Sequence, residues 1–156
     1  MCAPWNSASA TSKATTGWRC AAGSAWQFHL ATDLADLFTE VGLESPRPVP
    51  VMRAEHQVAQ KLHAVSSEGS ERARDLVDLQ LLDGAEDLDL ELVATTCVRL
   101  FEYRRQQAWP PSIVARQEWG SLYVEAADGL DVLPSLGEAM AWVDVFVRRI
   151  AAAGPG

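Results

Sequence analysis

The residue types best suited to chemistry in this chain sit in one short stretch. It reads Glu55-His-Gln-Val-Ala-Gln-Lys-Leu-His-Ala-Val-Ser66 and then, after a Ser/Gly-rich break, Arg72-Ala-Arg-Asp-Leu-Val-Asp-Leu-Gln-Leu-Leu82. The spacing predicts two helices. At ~100° per residue, Val58, Ala59, Leu62 and Val65 form the apolar stripe of the first, and Ala73, Leu76, Leu79 and Leu82 that of the second. Glu55 falls inside the first stripe and Lys61 at its edge, while Arg72 and Asp75 fall inside the second. Charged side chains are rarely buried unless paired. Four charges leaning inward on adjacent helices therefore predict either a buried polar network or a site lining a cleft.

A purely structural account fits the same pattern. Arg72 and Asp75 are three apart and Arg74 and Asp78 four apart, and such pairs stabilise exposed helices by ~0.2–0.5 kcal/mol each. An ion-pair network between two packed helices would also produce it. One compositional detail leans toward chemistry. The chain has 11 Arg and two Lys, and Lys61 is the only Lys after position 13. A lysine is a compact charge on a flexible stem that binds phosphate without the planar fork of arginine.

Three segments carry a family resemblance: Val49-Pro-Val-Met52; Glu55, then Lys61-Leu62-x-Ala64; and Arg72-x-x-Asp75-Leu76-x-Asp78-Leu79. Together they resemble the C-terminal half of the AbiEii/AbiGii toxin family, nucleotidyltransferases of type IV toxin–antitoxin and abortive-infection systems. Phe101-x-x-Arg104 followed by Trp109-Pro-Pro fits one branch of it, and the resemblance covers roughly residues 41–150. It implies a mainly α fold with at most one or two short strands, the helical C-terminal lobe beside a nucleotidyltransferase sheet. It also implies transfer of a nucleotide from a nucleoside triphosphate, with Mg²⁺, onto an acceptor that in some members is tRNA, under restraint by a cognate antitoxin. Lys61 would then contact the triphosphate and Asp75 would support the reacting group, with Glu55, Arg72 and Asp78 as supporting positions.

These residue types suit that chemistry. Phosphoryl-type transfer needs positioning and charge neutralisation more than covalent help. Mg²⁺ takes one or two carboxylates plus substrate phosphates, and a lysine can neutralise charge that builds on phosphate oxygens. The metal-binding motif of the family, a Gly-Ser turn followed by Asp-x-Asp on a strand, is not evident. Its nearest counterpart is Gly23-Ser24 followed by Asp33-Leu-Ala-Asp36, whose acids are three apart. On a strand, residues i and i+3 point to opposite faces. The run Thr32-Asp-Leu-Ala-Asp-Leu-Phe38 reads instead as a short helix with Leu34, Leu37 and Phe38 on its core face. No metal ligands are assigned.

The chain divides by composition. Residues 1–27 contain no acid, carry a charge of +2, and hold three of the six Trp and two of the three Cys. They read as an atypical, poorly folded leader, of the kind that a shifted reading frame or misplaced start would produce. Residues 28–156 carry 11 basic and 21 acidic side chains, and residues 28–152 are expected to form the helical region. On this account the chain is a truncated, inactive form of the enzyme. No stretch approaches the ~20 apolar residues of a membrane span. Three scattered Cys form neither CxxC nor an even framework, which fits a reduced, cytoplasmic setting. His56 and His63 are seven apart with no third ligand nearby, so surface histidines are expected rather than zinc. A net charge of −8 argues against an extended nucleic-acid surface. RNA contacts would have to be local, at Arg104, Arg105 and Arg116 near Trp109 and Trp119. In the simpler alternative, Tyr103-Arg-Arg ends a helix and Trp109 packs beneath it.

Helices are expected over 53–66 (Arg53 to Ser66) and 70–82, the second with Ser70 as N-cap. Residues 83–87 read as a loop in which Gly84 suits a helix terminus. A third helix runs from Leu88 or Asp89 to about Gln107, with Leu92, Val93, Thr96, Leu100 and Tyr103 inward, and Pro110-Pro111 stops it. A short helix follows around 117–126. Ser135-Leu-Gly-Glu138 is a capping box that opens a last helix with Met140, Val143, Phe146, Val147 and Ile150 as its stripe and Arg148 and Arg149 in its last turn. Pro46 to Met52 is the best extended entry. Two function classes remain from the residues alone: the nucleotidyltransferase, or a non-catalytic helical domain that binds a partner protein. A transcription regulator would need a basic recognition helix, and none is evident.

Overall fold

A computed structural model describes residues 26–29, 32–44, 49–85 and 87–154. The fold is mainly helical, as expected, and the described residues fall into two compact units that divide after Arg53. The first contains β1 (Trp26–His29), α1 (Thr32–Glu40) and β2 (Val49–Met52). The strands pair antiparallel, with Trp26 opposite Met52 and His29 opposite Val49. Pro50 can sit in β2 because a two-stranded ladder leaves one edge of each strand unpaired. The helix expected from Thr32 forms, and it closes on Gly42 at φ 72°. Leu43 N donates to Phe38 O and Gly42 N to Thr39 O, the paired bonds of a Schellman stop. Leu37 is exposed rather than on a core face, while Phe38 is half-buried. A nine-residue helix and a two-stranded ladder present little apolar surface to cover it. Gly23-Ser24 and the leader up to residue 25 lie outside the described residues.

The second unit is a helical bundle: α2 (Ala54–Val65), α3 (Arg74–Ala85), α4 (Leu90–Arg104), α5 (Trp119–Ala127) and α6 (Leu136–Ala153). Helix α2 packs on α3 and α4, α4 packs on α6, and α3 also meets α5 and α6. The α2 stripe is buried as its spacing predicts, at Val58, Ala59, Leu62 and Val65. So is most of the α6 stripe, at Val143, Phe146, Val147 and Ile150, with Ala139 buried in place of the half-buried Met140. Ser135 caps α6: its Oγ accepts from Glu138 N at 3.3 Å and donates to Glu138 Oε2 at 2.7 Å. Since α6 continues to Ala153, Arg148 and Arg149 lie before its last turn. Among the described residues, no helix is long and apolar enough to cross a membrane.

Three local expectations change. Ser70 is not an N-cap. The chain first makes tight turns, Asp75 N to Arg72 O and Leu76 N to Ala73 O, so α3 begins at Arg74 and runs past Gly84 to Ala85. Ser70 O is engaged instead by the buried Trp119 indole at 2.9 Å. Helix α4 buries Val93 and packs Leu100 against the core as expected, but it also buries Ala94, Cys97 and Phe101 and leaves Tyr103 86% exposed. It packs on both α2 and α6, so two partners set its buried face. Arg105, in the left-handed region at φ 52°, stops α4 before the prolines are reached. Burial in that core pushes the Cys97 thiol up to about 12, which keeps it protonated and unreactive.

One polar knot closes the bundle. The Gln80 amide donates to Leu76 O at 2.9 Å and to Tyr123 Oη at 3.1 Å, and its oxygen accepts from Leu133 N at 2.9 Å. Tyr123 donates onward to Leu133 O at 2.6 Å. Together these bonds tie α3 and α5 to the loop before α6. Gln80→Ala would leave several of these groups unpaired in a poorly hydrated place, and we expect a loss of about 1–3 kcal/mol in urea unfolding. A midpoint unchanged from wild type would contradict this role.

Candidate functional site

Packing of α2 against α3 delivers Lys61 to the acids of α3. Leu62 and Val58 bury against the bundle, which leaves the neighbouring Lys61 at the margin of the helix pair. On α3, Asp75 and Asp78 are three apart and so share a face. Lys61 Nζ bridges them, 3.2 Å from Asp75 Oδ1 and 2.5 Å from Asp78 Oδ2. Arg72 closes on the other side of Asp75, with Nε 2.5 Å from Oδ2 and Nη2 3.4 Å from Oδ1. Asp75 also lies in the first turn of α3, where the helix dipole favours a negative charge.

The four side chains differ in their access to water. The Asp75 side chain is 4% exposed, Lys61 22%, Asp78 32% and Arg72 61%. The hydrogen bond and charge of Asp75 raise the Arg72 pKa above its ordinary value. Two cations and two carboxylates make the group neutral as a whole. It is therefore a buried anchor, Asp75, with the partly exposed Lys61 side chain bridging from it to Asp78.

The structure brings together four of the five residues singled out by type and spacing: Lys61, Asp75, Asp78 and Arg72. Arg72 precedes α3 and is largely exposed, so it is not part of an inward stripe. Glu55 is half-buried in the first turn of α2. It is ~9 Å along the axis and roughly 120° around it from Lys61, on a different face. Asp33 and Asp36 lie on α1, not on a strand. The strict Asp-x-Asp of the chain, Asp87 and Asp89, is not on a strand either, because Asp89 caps α4 by accepting from Leu92 N at 3.0 Å. Among the described residues no group of three or more His, Cys, Asp or Glu could hold a metal ion. The space between Asp75 and Asp78 is taken by the Lys61 ammonium. These residues do not fit Mg²⁺, and no step through a metal follows from them.

A second polar constellation, missed in the sequence, lies on the α4 side of α2. His63 is buried, not on the surface. Arg104 Nη1 lies 3.1 Å from His63 Nδ1, and Arg104 Nη2 donates to Gln60 Oε1 at 2.7 Å. A guanidinium has only donors, so Nδ1 accepts and the proton of the neutral ring belongs on Nε2. That nitrogen has no hydrogen-bond partner. The Phe101 ring lies 4.9 Å from the imidazole, edge to face. Burial, and then the charge of Arg104, lowers the His63 pKa. Gln107 caps the end of α2, donating to His63 O and Ser66 Oγ. The signal for this cluster was the spacing of Gln60 and His63, which share a helix face, opposite a helix that ends in Arg104.

The aromatic residues near those arginines divide. Trp119 is buried in the core and offers no stacking face. Trp109 is half-buried and packs edge to face on Phe101 at 5.3 Å, as the simpler alternative expects. It lines an open hollow of about 630 Å³ with Phe101, Glu102, Arg105 and Gln107.

Residues 26–144 match the model of the family described as nucleotidyl transferase AbiEii toxin, type IV TA system. The chain belongs to this family. The AbiEii match runs from β1 into α6 and includes every residue of the Lys61 cluster. Membership of a type IV toxin–antitoxin family also implies an antitoxin partner. No curated protein matches the chain.

Two outcomes follow from this geometry. Asp75→Asn is expected to destabilise the bundle more than Asp78→Asn, by about 1–3 kcal/mol in denaturant unfolding, because Asp75 is the more deeply buried carboxylate. Equal effects would remove its role as anchor. The second concerns pH. The folded state holds His63 with a lowered pKa, so the unfolded chain binds the proton more readily. Stability is then full above the ordinary histidine value of ~6.5 and falls as pH drops from there toward the lowered folded value. His63→Gln should flatten that part of the stability–pH curve, and a slope identical to wild type would contradict the assignment.

Proposed function

We propose that this chain supplies the phosphate-binding part of a nucleotidyltransferase toxin, in which Lys61 meets the triphosphate of a nucleoside triphosphate. The observation that carries the reading is the Lys61 ammonium, on a side chain about one-fifth exposed, held by a buried carboxylate that Arg72 secures from behind. In the reaction an acceptor hydroxyl oxygen attacks the α-phosphorus, the bond to the pyrophosphate oxygen breaks and pyrophosphate leaves. The hydroxyl proton passes to a base. Lys61 would neutralise the charge that gathers on the departing phosphates. Asp75 would set the direction of the ammonium, with Arg72 supporting it; Asp78 would lie beside the same ammonium, and Glu55 would support the site from a separate face of α2. RNA, including tRNA, is the proposed acceptor class. Mg²⁺ would need carboxylates other than Asp75 and Asp78, which the Lys61 ammonium already occupies.

A second reading is a helical domain that binds a protein partner without catalysis. It is favoured by the neutrality of the cluster, since the charge on Lys61 is already balanced by two carboxylates. Equilibrium binding of ATP, CTP, GTP and UTP to the full chain at low ionic strength separates the two. Lys61→Ala should weaken triphosphate binding about 10- to 100-fold, the value of a charge-assisted hydrogen bond, with the helical circular dichroism unchanged. Equal binding by wild type and variant, or none by wild type, would remove the phosphate reading and leave the protein-binding one.

A further inference from the structure

We propose that Asp78 competes with phosphate for Lys61 and holds the site in a self-neutralised, closed state. This rests on the phosphate-binding reading above and assigns opposite roles to the two acids of α3. Both carboxylates contact the same ammonium, but they are not equivalent. Asp75 is almost fully buried and has Arg72 as a second cation, so it stays paired if Lys61 moves away. Asp78 has Lys61 as its only ion-pair partner among the described residues, at 2.5 Å, and its side chain is one-third exposed. Once released, it can be hydrated where it stands. An incoming phosphate oxygen presents the same charge and the same acceptor geometry as the Asp78 carboxylate.

The flexible stem of Lys61 makes the exchange local. The ammonium need only rotate from Asp78 to the phosphate while keeping its 3.2 Å contact with Asp75. Arginine would serve less well, since its planar fork holds a carboxylate at two points. The arrangement explains why a cation meant for an anionic ligand sits beside two acids in a chain of net charge −8. Asp75 keeps the ammonium in place, and Asp78 occupies it until an anion with several charges displaces the carboxylate. A single phosphate would compete less effectively than a triphosphate.

The test is a double-mutant cycle on the full chain, with inorganic tripolyphosphate as probe and no divalent cation, followed by titration calorimetry. Asp78→Asn should tighten binding about two- to ten-fold, the range for a partly screened ion pair. The same change in a Lys61→Ala background should give at most a small gain from net charge, because no ammonium remains to be released. Asp75→Asn should weaken binding. Thermal unfolding checks that each variant is folded, and Asp78→Ser replaces the Asn variant if that one is not. Binding that depends on Lys61 but is unchanged or weakened by both Asp78 substitutions would overturn the competition and make Asp78 a second positioning group. The same gain with and without Lys61 would also overturn it. Binding indifferent to Lys61 would remove the phosphate reading itself.

Discussion

A carboxylate out of water costs several kcal/mol unless cations meet it, and Asp75 is almost wholly out of water. Lys61 from α2 and Arg72 from the turn before α3 both converge on it. The requirement fixes more than two side chains. It sets how α3 is rotated against α2, and it ties the turn before α3 to that helix's first acid. The other face of α2 is fixed in the same way, with Gln60 and His63 engaged by Arg104. Helix α2 is thus held by polar contacts on two sides and by Val58, Leu62 and Val65 in the core. The rotation that buries the apolar stripe is the one that presents Lys61 at the margin.

The charge balance around Lys61 separates stability from function. A neutral cluster of two cations and two carboxylates does not by itself attract anions, and the acidic chain surrounding it repels them. Recognition of a triphosphate would therefore depend on exchange of partners at one ammonium rather than on a broad positive field. The deeply buried contact keeps the helices together, and the more exposed one is available for exchange.

Much of this was legible in the sequence, for physical reasons that differ by element. The stripes of α2 and α6 could be read because each buries one continuous face, and period alone then marks it. The charges at Lys61 and Asp75 stand out because they border or fall inside such stripes, whereas Asp78 comes in with the family resemblance. The face of α4 could be read only in part, since burial against both α2 and α6 leaves no single stripe and favours small residues such as Ala94 and Cys97. Spacing puts the start of α3 at Ser70 because Ser70 carries the side chain of a cap, but its backbone oxygen serves the Trp119 indole, 49 residues away, and the helix begins at Arg74. Local spacing places His63 on the surface for the same reason: its partners, Arg104 and Phe101, come from another helix. Long-range partners of this kind leave no mark in local spacing. The family resemblance, by contrast, rests on residue types at Lys61, Arg72, Asp75 and Asp78, and the match over residues 26–144 bears it out.

The chain has two lysines, Lys13 and Lys61, which gives the central claim a direct spectroscopic test. With ¹³Cε-labelled lysine, the full chain shows two lysine signals, and tripolyphosphate can be titrated against both. If Lys61 binds phosphate, its signal moves saturably while that of Lys13 serves as the internal reference for non-specific effects. Equal, non-saturating shifts of both signals, or a Lys61 signal that does not move in the folded protein, would contradict the account and reduce the cluster to an ion-pair clasp between two helices.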